Sequence, residues 1–249
     1  MRRKARQASK PENRPRFWGR HAVAAALANP ERGIVRLWAT REAADELDIA
    51  SSIPVTWAEV ADLGRLVPHD APHQGIVAEV ERLPEILLAD LLDLAEDGRP
   101  LLVLDQVTDP HNVGAILRSA AAFDALGLVT QDRHAAPESG ALAKAASGAL
   151  ESVPWVRVVN LARALDEIAG AGFWRIGLAG DAETLLADAL GPKRVALVLG
   201  AEGEGMRQNV EAHCDAMARL PIGTRIESLN VSNAAAIALY AAATGAKGG

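Results

Sequence analysis

The chain has 249 residues, a formal net charge of −6 and 49% apolar residues, which suits one large soluble globular domain or two modest ones. The N-terminus lacks the apolar core of a secretory signal, and no apolar run reaches the length of a membrane span. The lone cysteine, Cys214, excludes an internal disulfide, which fits a reducing, cytoplasmic location and favours a buried, inert thiol.

Charge is unevenly distributed along the chain. The first 20 residues carry eight Lys or Arg and one Glu, a balance of +7, so the remainder carries −13. A basic arm on an acidic body indicates a nucleic-acid partner, although a solvated tail that aids solubility would have the same composition. The arm, residues 1–16, is polar and contains proline, so we expect it to be disordered when free.

Residues 17–82 predict a small α/β domain, and residues 83–99 a linker helix. In chain order the small domain has a helix, a strand, a helix, a strand, a helix and a strand, predicted at 19–28, 34–40, 42–49, 54–57, 58–66 and 75–80. The linker is predicted from apolar residues at helical spacing over 84–99.

From residue 100 onward, apolar strands alternate with helices. The strands predicted at 101–105 and 195–199 are continuously apolar except for Asp105 at the end of the first, a pattern typical of strands buried on both faces. Further strands are predicted at 127–130, 155–158, 174–178 and 216–220, and helices at 113–125, 139–149, 161–169 and 230–243, with Gly127 as the stop of the first helix. This alternation predicts a largely parallel α/β sheet.

Polar residues follow the ends of three of these strands, and the first such segment, motif 1, is 112–118, Asn-Val-Gly-Ala-Ile-Leu-Arg. We predict that Asn112 caps the helix and that Gly114, one turn before Arg118, leaves room for a ligand beside the guanidinium. Parallel sheets bind ligands at such helix starts. The alternative is a surface arginine on an ordinary helix.

Motif 2, residues 200–205, has three glycines in six residues directly after an apolar strand. Glycines there permit positive φ or a close approach to a ligand. The pattern is not the dinucleotide fingerprint, and Glu202 is suited to hold a hydroxyl or a cation rather than a pyrophosphate. A glycine-rich turn without a ligand is the alternative.

Motif 3 is residues 220–233, in which a Pro-Ile-Gly break precedes alternating polar and apolar residues. The polar side chains would cap backbone or face a pocket: Ser228, Asn230 and Ser232. The apolar ones would line the flat surface that an adenine needs: Leu220, Ile222, Leu229 and Val231. A simple cap for the last helix accounts for one of these residues only.

In this order and spacing, the three motifs resemble those of the SpoU (TrmH) family of RNA 2'-O-ribose methyltransferases, over about residues 100–245. Residues 17–82 resemble the L30e-like RNA-binding domain of the 23S rRNA guanosine-2'-O-methyltransferase branch, which has a signature similar to Pro72-His73-Gln74-Gly75. The resemblance implies an α/β protein in which a parallel-sheet trefoil-knot methyltransferase domain, residues 100–249, follows the small domain. It also implies a homodimer.

The resemblance further implies S-adenosylmethionine as cofactor, with no metal, and 23S rRNA or a ribosomal precursor particle as partner. Cofactor contacts would come from Gly200, Leu220, Ile222 and Leu229. Around the reacting ribose would lie Arg118, Glu202, Ser228 and Asn230, with Asn112 in support. The family's proposed base matches Arg118, but a guanidinium normally stays protonated, so Arg118 would alternatively stabilise the alkoxide or hold a phosphate.

Three other functions remain open at this point. A tRNA ribose methyltransferase shares the motifs, and only the N-terminal domain favours rRNA. A catalytically inactive RNA-binding protein would have no need for the intact polar residues of the motifs. A nicotinamide-dependent enzyme is disfavoured because no fingerprint glycines follow the first strand of the larger domain.

For the RNA partner, the basic arm together with Arg36 and Arg41 would supply phosphate contacts.

Overall fold

A computed structural model describes residues 14–49, 53–95, 98–133, 135–191 and 194–245. It contains a four-stranded and a seven-stranded sheet, which correspond to the two predicted α/β regions. Most of the predicted basic arm lies outside the described residues. In the described part of the chain, no helix combines the length and apolarity needed to cross a bilayer.

The N-terminal sheet is mixed, with the strand order β1-β4-β2-β3. Strand β4 runs antiparallel to both β1 and β2, whereas β2 and β3 are parallel. The strands are β1 Arg16–Trp18, β2 Ile34–Ala39, β3 Val55–Trp57 and β4 Ile76–Val80, and the helices are α1 Arg20–Ala28, α2 Arg41–Glu46 and α3 Val60–Gly64. The predicted helices and strands of this domain are confirmed, with ends that differ by a few residues.

Strand β1 was not predicted, because three residues are too short to display a period of two. It shifts the predicted boundary between arm and domain. Arg16 pairs with Glu79 in the sheet, and the carbonyl of Pro15 accepts a hydrogen bond from Val80 N at 3.0 Å. The small domain therefore includes residues 15 and 16, which the prediction assigned to the arm.

In the part of the linker that the structure describes, the only helix is the short α4, Leu88–Leu92, so the helix predicted over 84–99 is wrong in extent. Within the described part of that span, only Leu88 and Leu91 are buried. They pack against the large sheet together with Leu101 and Val103. The apolar pattern thus covers one turn, which is too little to hold a longer helix.

The large sheet is parallel throughout, with the strand order β7-β6-β5-β10-β8-β11-β9. Its strands are β5 Leu101–Leu104, β6 Gly127–Gln131, β7 Trp155–Val158, β8 Phe173–Leu178, β9 Thr184–Leu185, β10 Arg194–Leu199 and β11 Ala216–Arg219. Its helices are α5 Pro110–Ala122, α6 Gly140–Ala146, α7 Leu161–Gly170, α8 Leu186–Ala189, α9 Gln208–Glu211 and α10 Val231–Gly245. The predicted parallel α/β sheet is confirmed, whereas the trefoil knot stays a prediction. The short elements β9, α8 and α9 were not predicted.

Both faces of the large sheet are covered. Alternate residues of the central strand β5 contribute to two different clusters, Leu102 and Leu104 to one and Leu101 and Val103 to the other. The first cluster includes buried residues of α5, α6 and α10, and the second includes residues of α4 and α7. The continuously apolar runs therefore indicated burial on both faces correctly.

Helix α5 differs from the prediction at both ends. It begins at Pro110, and its N-cap is Asp109, whose side chain accepts from His111 N at 2.9 Å. Proline suits the first helical position because its φ is already helical and it lacks the N–H that would remain unpaired there. Asn112 is therefore not the cap. Gly127 is not the stop either, since the helix ends at Ala122 and Gly127 begins β6.

The small domain packs directly on α6 of the large one. Gly140 makes this possible, because a Cβ there would lie 1.9 Å from the Trp18 ring. The side-chain oxygen of Gln74 accepts from Lys144 Nζ at 2.6 Å and from Arg20 N at 3.1 Å. Gln74 and Gly75 both have positive φ. The His-Gln-Gly segment is thus a turn that joins the two domains.

Candidate active site

The three motifs meet at the carboxylate of Glu202. Its Oε1 accepts hydrogen bonds from Asn112 Nδ2 at 3.1 Å, Asn230 Nδ2 at 2.5 Å and Val231 N at 3.1 Å. Asn230 Nδ2 also lies 3.0 Å from Asn112 Oδ1. One polar side chain from each motif therefore joins a single network, although 118 residues separate Asn112 from Asn230.

Motif 2 presents Glu202 because the loop folds back on itself. Ala201 and Gly205 exchange two backbone hydrogen bonds of 3.1 and 3.0 Å, and Gly203 and Gly205 have φ values of 82° and 70°. A Cβ on Gly200 would lie 2.1 Å from the carbonyl carbon of Gly205. The predicted need for positive φ is confirmed, and Gly200 is required for the tight closure of the loop.

Motif 3 leads into α10, and Asn230 caps this helix. Its Oδ1 accepts from Ser232 N at 2.9 Å and from Ser232 Oγ at 2.5 Å. Glu202 adds a carboxylate at the same helix start, where the backbone N–H groups and the helix dipole favour negative charge. The polar residues of motif 3 thus include a helix cap, as predicted, and the cap is completed by motif 2.

The apolar residues of motif 3 divide into two groups. Val231 is buried in the core with Ala235 and Leu239, so the prediction that it lines an adenine surface is wrong. The other three remain partly exposed, as residues that line a binding surface must be: Leu220, Ile222 and Leu229. No atom lies within 4 Å of a Cβ built on Gly203, Gly205 or Gly223, so the backbone at these glycines of motifs 2 and 3 is open. A planar, partly apolar cofactor fits such surroundings.

Arg118 and Ser228 are both exposed and do not join the Glu202 network. Within the described residues, neither side chain makes a hydrogen bond or an ion pair. Arg118 lies six residues beyond Asn112 on α5, an axial rise of about 9 Å. The structure therefore brings together Asn112, Glu202 and Asn230 and leaves these two predicted site residues apart from them.

The prediction that Gly114 leaves room for a ligand beside Arg118 is wrong. Gly114 is buried, and a Cβ there would lie 2.5 Å from the Leu142 carbonyl oxygen and 2.6 Å from Ala145 Cβ. The glycine instead lets α5 pack closely against α6. That packing holds motif 1 in place against α6.

A second polar cluster, formed by Asp105, Arg207 and Gln131, was not predicted. Asp105 ends the buried strand β5, is fully buried, and accepts from Arg207 N at 2.8 Å and from an Arg207 Nη at 2.6 Å. The same Nη lies 2.6 Å from Gln131 Oε1. The ionic contact ties the exit of motif 2 to the strand that precedes motif 1. A charged residue directly after four apolar ones was the signal that could have revealed it.

A cavity of about 240 Å³ adjoins this cluster, and its lining includes Arg207 and Gln131 but none of the predicted site residues. Cys214 lies elsewhere, half-buried three residues beyond α9, and burial raises its pKa to about 11. A raised pKa lowers the thiolate fraction, in line with the expected inert cysteine.

Family models match both domains of the chain. The SpoU rRNA Methylase family matches residues 99–240, and the family described as RNA 2'-O ribose methyltransferase substrate binding matches residues 17–85. The chain belongs to the SpoU rRNA methylase family. The larger match contains all three motifs up to residue 233, and the smaller one contains the four-stranded sheet except for Arg16.

Individual SpoU relatives align over nearly the whole chain. A 23S rRNA (guanosine-2'-O-)-methyltransferase RlmB of Pseudomonas syringae pv. tomato is 39% identical over 239 residues, which cover 91% of this chain and 94% of the relative. An uncharacterized tRNA/rRNA methyltransferase of Synechocystis is also 39% identical, over 90% of this chain and 61% of the relative.

A solved SpoU structure has the same fold. The crystal structure of the SpoU methyltransferase AviRb from Streptomyces viridochromogenes, in complex with the cofactor AdoMet, matches with a TM-score of 0.79 and 25% identity. The match covers 94% of this chain and 91% of AviRb. It includes both domains, which agrees with the predicted fold class.

Proposed function

We propose that this protein is an S-adenosylmethionine-dependent RNA methyltransferase that methylates the ribose 2'-hydroxyl of a guanosine in 23S rRNA. The observation that carries the proposal is the Glu202 network, in which one polar side chain from each motif meets the others. The match of the RlmB relative over more than 90% of both chains supports the substrate. The alignment with this relative includes the small domain, which favours rRNA over tRNA as the substrate.

S-Adenosylmethionine, when bound, supplies a methyl group that is already activated by the positive charge on sulfur. We propose that Gly200, Leu220, Ile222 and Leu229 hold it. The protein then has to orient the ribose and stabilise the charge that develops on its oxygen. Arg118 would stabilise that charge or hold the adjacent phosphate, with Ser228 close to the ribose.

Glu202 is proposed to orient the ribose. Its Oε1 already accepts three hydrogen bonds, which fixes the carboxylate plane. Its Oε2 accepts none from the described residues, so this atom is available to a ribose hydroxyl. Asn112 and Asn230 would act mainly by holding Glu202 in place.

We also propose that the protein is a cytoplasmic homodimer and that it acts on 23S rRNA or a ribosomal precursor particle. An apolar strip on the outer side of α10 supports dimerisation. Ile237 and Tyr240 are both exposed there, and the Tyr240 ring contacts Phe123 of α5 edge-on at 6.0 Å between centroids. Light scattering on the purified protein measures the oligomeric state.

Methyl transfer to RNA tests the proposed function. The purified protein is incubated with labelled S-adenosylmethionine and either unmodified 23S rRNA, a precursor particle or bulk tRNA, and alkali-resistant linkages are mapped. A single resistant site at a guanosine of 23S rRNA, free or in the particle, is expected. A site in tRNA alone would overturn the substrate, and cofactor binding without transfer to any of the three would overturn the activity.

Replacing Asn112 with alanine is expected to lower turnover by up to about 100-fold, while cofactor affinity changes much less. The change removes both the donor to Glu202 and the acceptor for Asn230, so the carboxylate loses its orientation. Single-turnover rates and calorimetric titration with S-adenosylhomocysteine measure the two quantities.

Asn209→Ala is the matched control for Asn112→Ala, because Asn209 is exposed on α9 and its side chain makes no hydrogen bond within the described residues. Its turnover should be unchanged. Equal losses of turnover and cofactor affinity in Asn112→Ala would instead indicate a role in folding.

Deleting the basic arm is expected to weaken RNA binding and to flatten its salt dependence. The deletion should cover residues 2–13, which hold five Lys or Arg, because a deletion to residue 16 would remove part of β1. Each lost phosphate contact lowers the slope of log K against log salt by about 0.7–0.9. Binding measured from 50 to 300 mM salt gives the slope, and an unchanged slope would show that the arm does not contact RNA.

A further inference from the structure

An exposed apolar patch, which we call the Trp57 patch, lies at one end of the small domain. It consists of Trp57 and Val60, whose exposed fractions are 52% and 61%. All five tryptophans of the chain are in the described ranges, and only Trp57 is exposed. Exposed indole surface is unfavourable in water, and the ring offers a flat apolar face on which a partner can pack.

Arg41 lies over the indole of Trp57, with its guanidinium carbon 4.9 Å from the ring centroid. Among the described residues it makes no ion pair, so its charge is not neutralised by a carboxylate. This is notable because residues 21–249 carry a net charge of −13. An unpaired cation, Arg41, therefore lies beside the flat aromatic ring of the Trp57 patch.

The backbone around the patch is held firmly. Trp57 ends the edge strand β3 and is paired in register with Ala39 of β2. Ala58 N donates to the Ala39 carbonyl at 3.1 Å, and Thr40 caps α2 by accepting from Ala43 N at 3.2 Å. Arg41 is the first residue of that capped helix. The ring thus projects from the end of β3, and the guanidinium projects from the first residue of α2 beside it.

We propose that the Trp57 patch binds an unpaired base of the RNA substrate by stacking, and that Arg41 contacts the phosphate beside that base. The inference rests on the proposed function, since it takes RNA as the substrate. Every nucleobase has a flat π face, so a tryptophan platform tolerates any base, and a cation beside it matches the phosphate. Bases inside a duplex are already stacked, so the patch selects loops and single strands.

The two arginines predicted to contact phosphate, Arg36 and Arg41, lie on opposite faces of the small sheet. Arg41 lies with Trp57 on the side of the sheet that includes Ala39. Arg36 alternates with Leu37 along β2 and therefore points to the opposite face, on which Arg16 and Trp38 also lie. The two arginines do not form one RNA-binding surface, so Arg36 is a matched control for Arg41.

Binding of two RNA probes to the full-length protein tests the inference. The probes are an unstructured 12-nucleotide RNA with all four bases and a 12-base-pair RNA duplex, at one fixed salt concentration. For Trp57→Ala, Kd for the single strand is expected to rise at least about 5-fold, with the duplex Kd unchanged. Arg41→Ala should weaken single-strand binding as well, whereas Arg36→Ala should leave it within about 2-fold of wild type.

A second variant separates stacking from folding. Trp57→Phe keeps an aromatic ring, so Kd for the single strand should stay within about 2-fold, while quenching of tryptophan fluorescence by the RNA should largely disappear. Wild-type affinity in Trp57→Ala, or an equal loss on single strand and duplex, would overturn the inference. In that case the patch would be a surface for another protein.

Methyl transfer distinguishes this inference from the proposed function. With 23S rRNA, Trp57→Ala should show a higher KM and an unchanged kcat, because the patch is on the small domain. If wild type transfers no methyl group but Trp57→Ala still loses single-strand affinity, the proposed function fails and the stacking site stands. If wild type methylates 23S rRNA and Trp57→Ala binds the single strand as well as wild type, only the stacking site fails.

Discussion

An Arg118→Lys variant is expected to lose about 100-fold or more in turnover although it keeps the positive charge. Arg118 is exposed and makes no ion pair with the described residues, so its guanidinium is available to substrate. A planar guanidinium donates two parallel hydrogen bonds to a phosphate or to a developing alkoxide, whereas an ammonium group is a point charge. Single-turnover methylation of 23S rRNA measures the effect.

Arg163→Lys is a suitable control for Arg118→Lys, because Arg163 is an exposed arginine on α7, on the face of the sheet opposite to α5. Its turnover should match wild type. Near-normal turnover in Arg118→Lys would argue against both of the proposed roles, stabilisation of the developing charge and binding of the adjacent phosphate. A loss of turnover that alkaline pH does not restore would favour electrostatic stabilisation over a base, because a lysine that loses its proton at alkaline pH could replace a base.

Arg32→Ala is expected to lower the free energy of unfolding by about 3–5 kcal/mol. The Arg32 side chain is fully buried between the two domains, 2.5 Å from a Glu138 oxygen and 2.8 Å from a Glu151 oxygen. It also donates to the Glu81 carbonyl at 2.8 Å. Without Arg32, two buried carboxylates lose their cation. Urea denaturation followed by circular dichroism measures the change.

Arg65→Ala gives the comparison for Arg32→Ala. Arg65 pairs with Asp62 at 2.8 Å, but both side chains are exposed, so its loss should change stability by less than about 1 kcal/mol. Neutralising one carboxylate in the Arg32→Ala background, with Glu151→Gln, should recover part of the lost stability. If Arg32→Ala were as mild as Arg65→Ala, the cluster would not hold the domains together.

The local pattern of the sequence determined the element types and the position of the motifs. Continuously apolar runs such as 101–104 and 195–199 predicted a parallel sheet, because strands buried on both faces are apolar at every position. Polar residues directly after such strands predicted a site, because parallel strands present their carboxyl ends at one edge. Glycines in motif 2 predicted positive φ for a steric reason that is local to each residue.

The tertiary structure decided which distant residues meet. Strand β10 lies between β5 and β8, and this neighbour relation brings Glu202 to Asn112 and Arg207 to Asp105. Tertiary packing also places Gly114 against α6, where the sequence predicted room for a ligand. Periodicity reports the face on which a residue lies but not the element that covers that face. Such pairings depend on the shapes of packed elements far apart in sequence, which local pattern does not contain.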